Sequence, residues 1–320
     1  MSSAPFRRPL LSPAASVPAG DDHRPQPRLS VVVAAWTGPA ELRRCVSSLG
    51  PQLDAAFDEI IVVRNFAVEG SLAALIGGSR FQDLLLPSET VPRLRAAGLA
   101  RATGTIVAFI EDHCTCVPAW RDAIIDGHGA DIVGVGGPVD LGPGGNPLDW
   151  AVYFYDYARF VPPMASGPAR SLSGANMSWT QAFLAEMGPG LSGEVLEAAL
   201  VRECARRGGG MFLSAAAIVV ESRSNRAAGA LRLAFAQARG YAAGRVAGAS
   251  LVGRLALAVA SVVLPPLLAA RIVAATLRSR RHISRLVMAL PWLAAVLAVW
   301  SAGEAAGYVA GEGASHRRWR

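Results

Sequence analysis

Short, nearly unbroken apolar runs alternate with amphipathic stretches over the first two thirds of the chain. Residues 29–36 (LSVVVAAW) and Glu59–Arg64 (EIIVVR) read as buried strands rich in β-branched residues, and 81–86 and 105–110 supply a third and a fourth. Between them, Pro39–Leu49, residues 71–76 and residues 91–102 carry helical patterns. Strands without polar alternation, spaced by helices, predict parallel strands covered on both faces, an α/β sandwich. Ligands in such sheets bind outside the carboxyl ends of the strands.

The middle of the chain is less regular. Residues 137–149 (GPVDLGPGGNPLD) form a Gly/Pro-rich loop and 150–160 (WAVYFYDYARF) an aromatic cluster. Residues 171–178 (SLSGANMS) read as a strand entering a turn, 194–207 as a helix, and 211–213 with 217–221 as a final strand pair. After Arg245 the pattern changes: residues 255–270 and 286–303 are uncharged apolar runs. The second is long enough to cross a thin bilayer, and the first becomes so if it continues past Arg271 to Leu277, kinked by Pro265-Pro266. Membrane-associated helices are therefore expected within 246–310, at about 255–277 and 286–309, ahead of a basic tail at 311–320. The connecting stretch 278–285 (RSRRHISR) is as basic as that tail. If both segments span, loop and tail fall on opposite faces, and the preference for cytoplasmic arginine cannot be met at both. Either the first segment is re-entrant or interfacial, or the loop is tolerated outside. Residues 1–28, rich in Pro, Ser, Ala and Arg and without a long apolar core, read as a disordered tail rather than a signal peptide.

Composition narrows the class. The 320 residues are 52% hydrophobic with a mean hydropathy of +0.33, too apolar for an ordinary cytosolic enzyme and too mixed for a polytopic transporter. The net charge of +7 is carried by arginine alone; with no lysine anywhere, Schiff-base and P-loop lysine chemistry are excluded. The arginines gather at both ends and beside the apolar third, a distribution suited to anionic lipid; no basic stripe interleaved with aromatics speaks for nucleic acid. Cys45, Cys114, Cys116 and Cys204 form no C-x-x-C pair and read as reduced thiols of a cytoplasmic compartment.

The candidate chemistry lies in FIEDHCTCVPAW, residues 109–120, where the fourth strand ends on Glu111, Asp112 and His113. On a strand Glu111 and His113 point one way and Asp112 the other, so a carboxylate and an imidazole can share one divalent cation, Mn²⁺ or Mg²⁺. The competing reading is a solvated strand end.

LSVVVAAW, then EIIVVRN, then RLRAAGLARATGTIVAFIEDHCTCVPAW resembles the nucleotide-binding half of an inverting family 2 glycosyltransferase of GT-A fold. The likeness covers about 29–245. It implies a Rossmann-like, mostly parallel sheet sandwiched by helices and followed by C-terminal membrane helices. Arg95-Ala-Ala-Gly98 stands for the family's arginine helix, Ala102-Thr-Gly104 for its A-x-G, Trp120 for its downstream tryptophan, and Glu111-Asp112-His113 for its D-x-D, in a D-x-H-like form. Gly174-Ala-Asn176-Met-Ser178 resembles the loop beside the donor sugar. The resemblance thus implies donor contacts from Ala34, Trp36, Asn65, Arg95, Asp112, Gly174 and Asn176, and a cation on Glu111, Asp112 and His113.

Inversion needs a base for the acceptor hydroxyl. The family places an acid about eleven residues before a Gly at the end of an Arg/Gly-rich helix; counting back from Gly208 gives Glu197, with Glu194 as the alternative. Trp150, Tyr153, Tyr155 and Tyr157 either stack on an acceptor or pack as core. Glu221 stands where the family has V-x-H, and Asn65 where it has an acid. The segment 235–245 resembles a juxtamembrane stretch, and 300–308 a membrane tail with Glu304 in it. The function implied is inverting transfer of a sugar from a nucleotide-sugar donor to a lipid-linked or surface-glycan acceptor at the inner membrane, with the catalytic domain facing the cytoplasm. The departures at Asn65, His113 and the base leave a non-catalytic, membrane-tethered nucleotide-sugar-binding or scaffold protein as the alternative.

Overall fold

The computed structural model describes residues 29–76, 80–142, 144–191, 193–246 and 248–313. The expected tail at 1–28 and most of that at 311–320 lie outside them. In chain order come β1 (Leu29–Ala35), α1 (Pro39–Leu49), β2 (Glu59–Arg64), β3 (Arg80–Leu85), α2 (Val91–Leu99), β4 (Ile106–Glu111), β5 (Cys114–Cys116), α3 (Trp120–Gly127), β6 (Ile132–Gly136) and β7 (Val139–Leu141). They are followed by α4 (Pro147–Tyr157), β8 (Gly167–Pro168), β9 (Asn176–Thr180), α5 (Gln181–Met187), α6 (Glu197–Arg207), β10 (Gly210–Leu213) and β11 (Val219–Glu221). Four helices close the chain: α7 (Ala227–Arg245), α8 (Leu251–Ala260), α9 (Leu264–Ser279) and α10 (Ile283–Ala310).

The main sheet has eight strands in the order β3-β2-β1-β4-β9-β6-β10-β8, and a second sheet has three, β5-β11-β7. β1 runs parallel to β2 and β4, and β2 to β3, as the apolar runs predict. β9 is antiparallel to both β4 and β6, so the sheet is mixed. Residues 71–76 form only a 3₁₀ turn, Ala73–Leu75: six residues before Gly77-Gly78 are too few to nucleate a stable α-helix. The expected pairing of 211–213 with 217–221 is also replaced. β10 joins the main sheet beside β6, whereas β11 lies between β5 and β7, because the turn after Leu213 carries the chain from one sheet to the other.

Because β1 and β4 are buried on both faces, alternate side chains feed two cores. Val31, Val33 and Ile110 pack with Leu42 and Val46 of α1; Val32, Phe109 and Trp179 pack with Leu94 of α2 and Leu200 of α6. Gly98 is where α2 meets β1, and a Cβ there would overlap the Val32 side chain. Gly98→Ala should therefore destabilise the domain by about 1–3 kcal/mol, read as a lower urea midpoint at unchanged slope.

α8 and α9, joined by the 3₁₀ turn Ser261–Val263, form one stretch (Leu251–Ser279), and α10 another (Ile283–Ala310); both are long and apolar enough to cross a membrane by length and composition. α10 packs against α7 and α4. Gly303 and Gly307 admit the α7 backbone, since a Cβ at either would run into the carbonyl of Phe235 or Arg239. Glu304 is buried in this contact, accepting from the Trp300 indole at 2.8 Å and the Tyr308 hydroxyl at 2.9 Å, with Arg245 at 4.0 Å.

Candidate active site at the carboxyl edge of the sheet

β4 ends on Glu111, and the pleat then separates the next side chains. Asp112, fully buried, turns toward the β1–α1 connection, where its Oδ2 accepts the backbone N–H groups of Trp36, Thr37 and Gly38 at 3.1, 2.8 and 3.3 Å. Glu111 and His113 face the other way, with His113 Nε2 3.6 Å from Glu111 Oε2. The imidazole is held from behind: its Nδ1 lies 3.3 Å from Thr37 Oγ1 and 3.8 Å from Asp112 Oδ1. In the neutral ring, a proton on Nδ1 would satisfy those partners and leave the Nε2 lone pair on the side of Glu111. Nε2 is buried and has no hydrogen-bond partner. Burial opposes charge on both groups, yet the Asp112 carboxylate holds His113 above the usual imidazole range, and Arg95, with His113 and Arg223, holds Glu111 below the usual carboxylate range.

Arg95 links this pair to the candidate base. Nη2 of this buried side chain donates to Glu111 Oε1 at 2.6 Å and to the Gly174 carbonyl at 2.8 Å. Glu197, in the first turn of α6, reaches the same Gly174 backbone on which that guanidinium rests. A Cβ on Gly174 would fall 2.6 Å from Glu197 Oε2, so glycine is what lets the carboxylate reach the loop. Desolvation pushes the Glu197 carboxyl up from 4.5 to about 7, against the pull of Arg95 and the Gly174 N–H. Glu194 precedes the helix and makes no hydrogen bond or ion pair with Arg95, Glu111 or Gly174; its own N–H goes to the Leu191 carbonyl at 3.2 Å.

A further acid–base cluster borders the site, and the sequence reading did not single out two of its members. Arg223 Nη2 pairs with Asp156 Oδ2 at 3.0 Å, its Nε lies 3.6 Å from Glu221 Oε1, and its guanidinium lies over the Trp36 ring at 5.6 Å. Burial raises the carboxyls of Asp156 and Glu221, with Arg223 pulling both back. The available signal was an acid inside an aromatic helix and an arginine two residues beyond a strand end; neither belongs to a motif.

The remaining candidates separate into rim and support. Trp36 donates its indole N–H to Glu111 Oε2 at 3.4 Å and meets His113 edge to face at 5.9 Å. Asn65 lies at the end of β2, donating its amide to the Glu89 carbonyl at 3.1 Å. Ala34 is buried beside Glu111, and its carbonyl accepts the Asp112 N–H. Asn176 is fully buried with its amide engaged by the Trp120 indole (3.0 Å) and the Pro138 and Ala217 carbonyls (3.2 and 2.7 Å), which makes it a support for the loops. The aromatic residues of α4, a helix capped by Asn146 and Asp149, pack rather than line the site: Trp150 lies 4.7 Å from the His282 ring and Tyr155 5.2 Å from Trp300. Among the described residues, no three His, Cys, Asp or Glu side chains are grouped to hold a metal ion.

Residues 30–178 match the family model of glycosyl transferase family 2. Human polypeptide N-acetylgalactosaminyltransferase 15 is 29% identical over 140 residues, which are 40% of this chain and 21% of that protein. The chain thus spans about a fifth of that relative's length. Among solved structures, mannosyltransferase PcManGT from Pyrobaculum calidifontis, in complex with GDP-Man and Mn²⁺, superposes at a TM-score of 0.55 with 15% identity, over 87% of each chain. GalNAc-T7 with UDP, GalNAc and Mn²⁺ gives a TM-score of 0.46 at 15% identity, over 61% of this chain and 44% of its own. Residues 30–178 are thus similar to glycosyl transferase family 2, and the fold is a mixed α/β sheet of GT-A type.

Proposed function

From the similarity to glycosyl transferase family 2 and the GT-A fold, we propose that this chain moves a sugar from a nucleotide-sugar donor, with inversion, to a hydroxyl of a lipid-linked or surface-glycan acceptor at the inner membrane, the catalytic domain facing the cytoplasm. The observation that carries this reading is Glu197, a carboxyl raised to about 7 beside Gly174, the loop residue that Arg95 ties to the donor-side Glu111. A base titrating near neutrality combines availability with driving force. As the acceptor oxygen forms its bond to the anomeric carbon, Glu197 takes the hydroxyl proton. The bond from that carbon to the nucleoside diphosphate breaks on the opposite face, which inverts the centre. Arg95 holds the strand end and the Gly174 loop, which Glu197 reaches, together.

Glu111 and His113 would hold a divalent cation, Mn²⁺ or Mg²⁺. The orphaned Nε2 beside Glu111 Oε2 fits that role, and two side chains suffice for an ion that takes its other ligands from phosphates and water. When bound, the ion neutralises charge developing on the departing diphosphate. Asp112 then acts behind the pair, orienting the imidazole and fixing the Trp36 loop along which the donor lies. The PcManGT complex with GDP-Man and Mn²⁺ supports a nucleotide-sugar donor and a cation. The two apolar helices and the arginine distribution support the membrane.

The test is a panel of nucleotide sugars on the purified full chain, with and without Mn²⁺. One donor should raise the melting temperature by mass action and release nucleoside diphosphate in a cation-dependent way that EDTA abolishes. A donor that binds without any release would favour the scaffold reading; no response to any donor would end both. His113→Ala should weaken the apparent Mn²⁺ affinity at least about tenfold. Unchanged affinity would remove the imidazole from the cation site.

A further inference from the structure

The C-terminal helices have an occupied face and an open one. Leu286, Ala289, Leu293 and Leu297 of α10 are buried at helical spacing, and the helix is packed against α4 and α7. On the open side Val252 and Val259 of α8, Val262 in the turn and Val287 of α10 are 77, 74, 76 and 61% exposed. So continuous an apolar exposure marks a contact surface.

The start of α10 is tied to the catalytic sheet and its end to α7. At its start, Arg281 Nη2 and His282 Nε2 reach Asp140 of β7 at 3.1 and 3.2 Å. At its end, Arg239 and Arg245 of α7 donate to the Gly311 carbonyl at 2.8 Å and the Tyr308 hydroxyl at 2.9 Å. Between these ties Tyr155 packs on Trp300, while its neighbour Asp156 pairs with the buried Arg223. A spanning helix needs about 20 residues free of polar neighbours across a hydrocarbon layer of about 30 Å. Placing α10 across the layer would drag α4 and α7, with their arginines and carboxylates, into it.

We propose that α8, α9 and α10 form a seat lying in the plane of one leaflet, their open face in the lipid and both ends of α10 on the side of the catalytic domain. The occupant is a bilayer bearing anionic headgroups. From Leu251 to Gly303 the chain has six arginines and no Asp or Glu, and Arg271, Arg278 and Arg280 are exposed. The arrangement also removes the conflict between two basic segments, because the connection 278–285 stays on the domain's side. It holds whatever reaction the site performs.

Vesicle sedimentation of the full chain tests the surface, and labelling tests the orientation. The chain should partition onto phosphatidylcholine vesicles containing phosphatidylglycerol, far less onto phosphatidylcholine alone. Arg271→Gln, Arg278→Gln and Arg280→Gln together should weaken partition about a hundredfold. Val252→Glu, Val259→Glu and Val262→Glu together should abolish it at an unchanged melting temperature, since all three positions are exposed. For orientation, Ser284→Cys and Ala310→Cys are combined, both exposed at opposite ends of α10, with the four native cysteines buried. In sealed vesicles an impermeant maleimide should give molecules with two labels or none. Molecules with a single label, which become doubly labelled only on permeabilisation, would show a spanning helix and overturn the proposal. So would a soluble dimer that ignores vesicles, or partition indifferent to both sets of substitutions.

Discussion

Glu197→Gln should lower kcat by about 10²–10⁴-fold and, unusually for a site substitution, stabilise the protein at alkaline pH. The folded carboxyl titrates near 7 against an ordinary 4.5. Its contribution to stability is full below about pH 4.5 and is lost as the pH rises through 7, where the folded state must bury a carboxylate. At pH 8 the wild-type chain therefore bears a penalty on the order of 2–3 kcal/mol, which glutamine removes. Urea midpoints at pH 5 and pH 8 should show the variant ahead only at the higher pH. For the wild type, kcat/KM should rise through about pH 7 as the base deprotonates, whereas Glu194→Gln should keep both turnover and profile. Full turnover in the Glu197 variant, or a wild-type profile flat from about pH 5.5 to 8.5, would reject the base assignment.

Asp112→Ala should have the largest structural effect of any substitution at the site, a loss of about 3–5 kcal/mol. One carboxylate oxygen collects the N–H groups of Trp36, Thr37 and Gly38, and alanine would strand these donors while freeing His113 from behind. Asp112→Asn, which keeps one accepting oxygen, should lose less. Denaturant unfolding measures both, and Trp36 accessibility to acrylamide should rise with the loss. A change below about 1 kcal/mol for alanine would mean that the loop holds itself.

The parallel half of the sheet was legible because β1, β2 and β4 are apolar and rich in β-branched residues with almost no polar alternation, a pattern that burial on both faces explains. β9 was harder: Asn176–Thr180 carries no direction in its composition, and its antiparallel placement follows from where the chain re-enters the sheet. The opposition of Asp112 to Glu111 and His113 could be derived from the pleat alone. What each side could reach could not, because the partners come from positions about 75 residues away in sequence, such as Trp36 and Thr37. Arg223 and Asp156 stayed hidden for the same reason: 67 residues separate them, and only the small sheet β5-β11-β7 brings β11 beside the strand that follows His113. Tyr155 and Trp150 looked equally suited to ligand and core, and packing partners on α10 decided it.

α4 also joins two parts of the molecule. Tyr155 touches Trp300 on the C-terminal helices, and the next residue, Asp156, touches Arg223 at the rim of the catalytic cluster. Through α4, the packing of the C-terminal helices is thus coupled to the cluster that borders the site. On the proposed seat, a hydroxyl carried on a headgroup would reach the site with its hydrocarbon tail still in the leaflet, so α4 would gauge acceptor length.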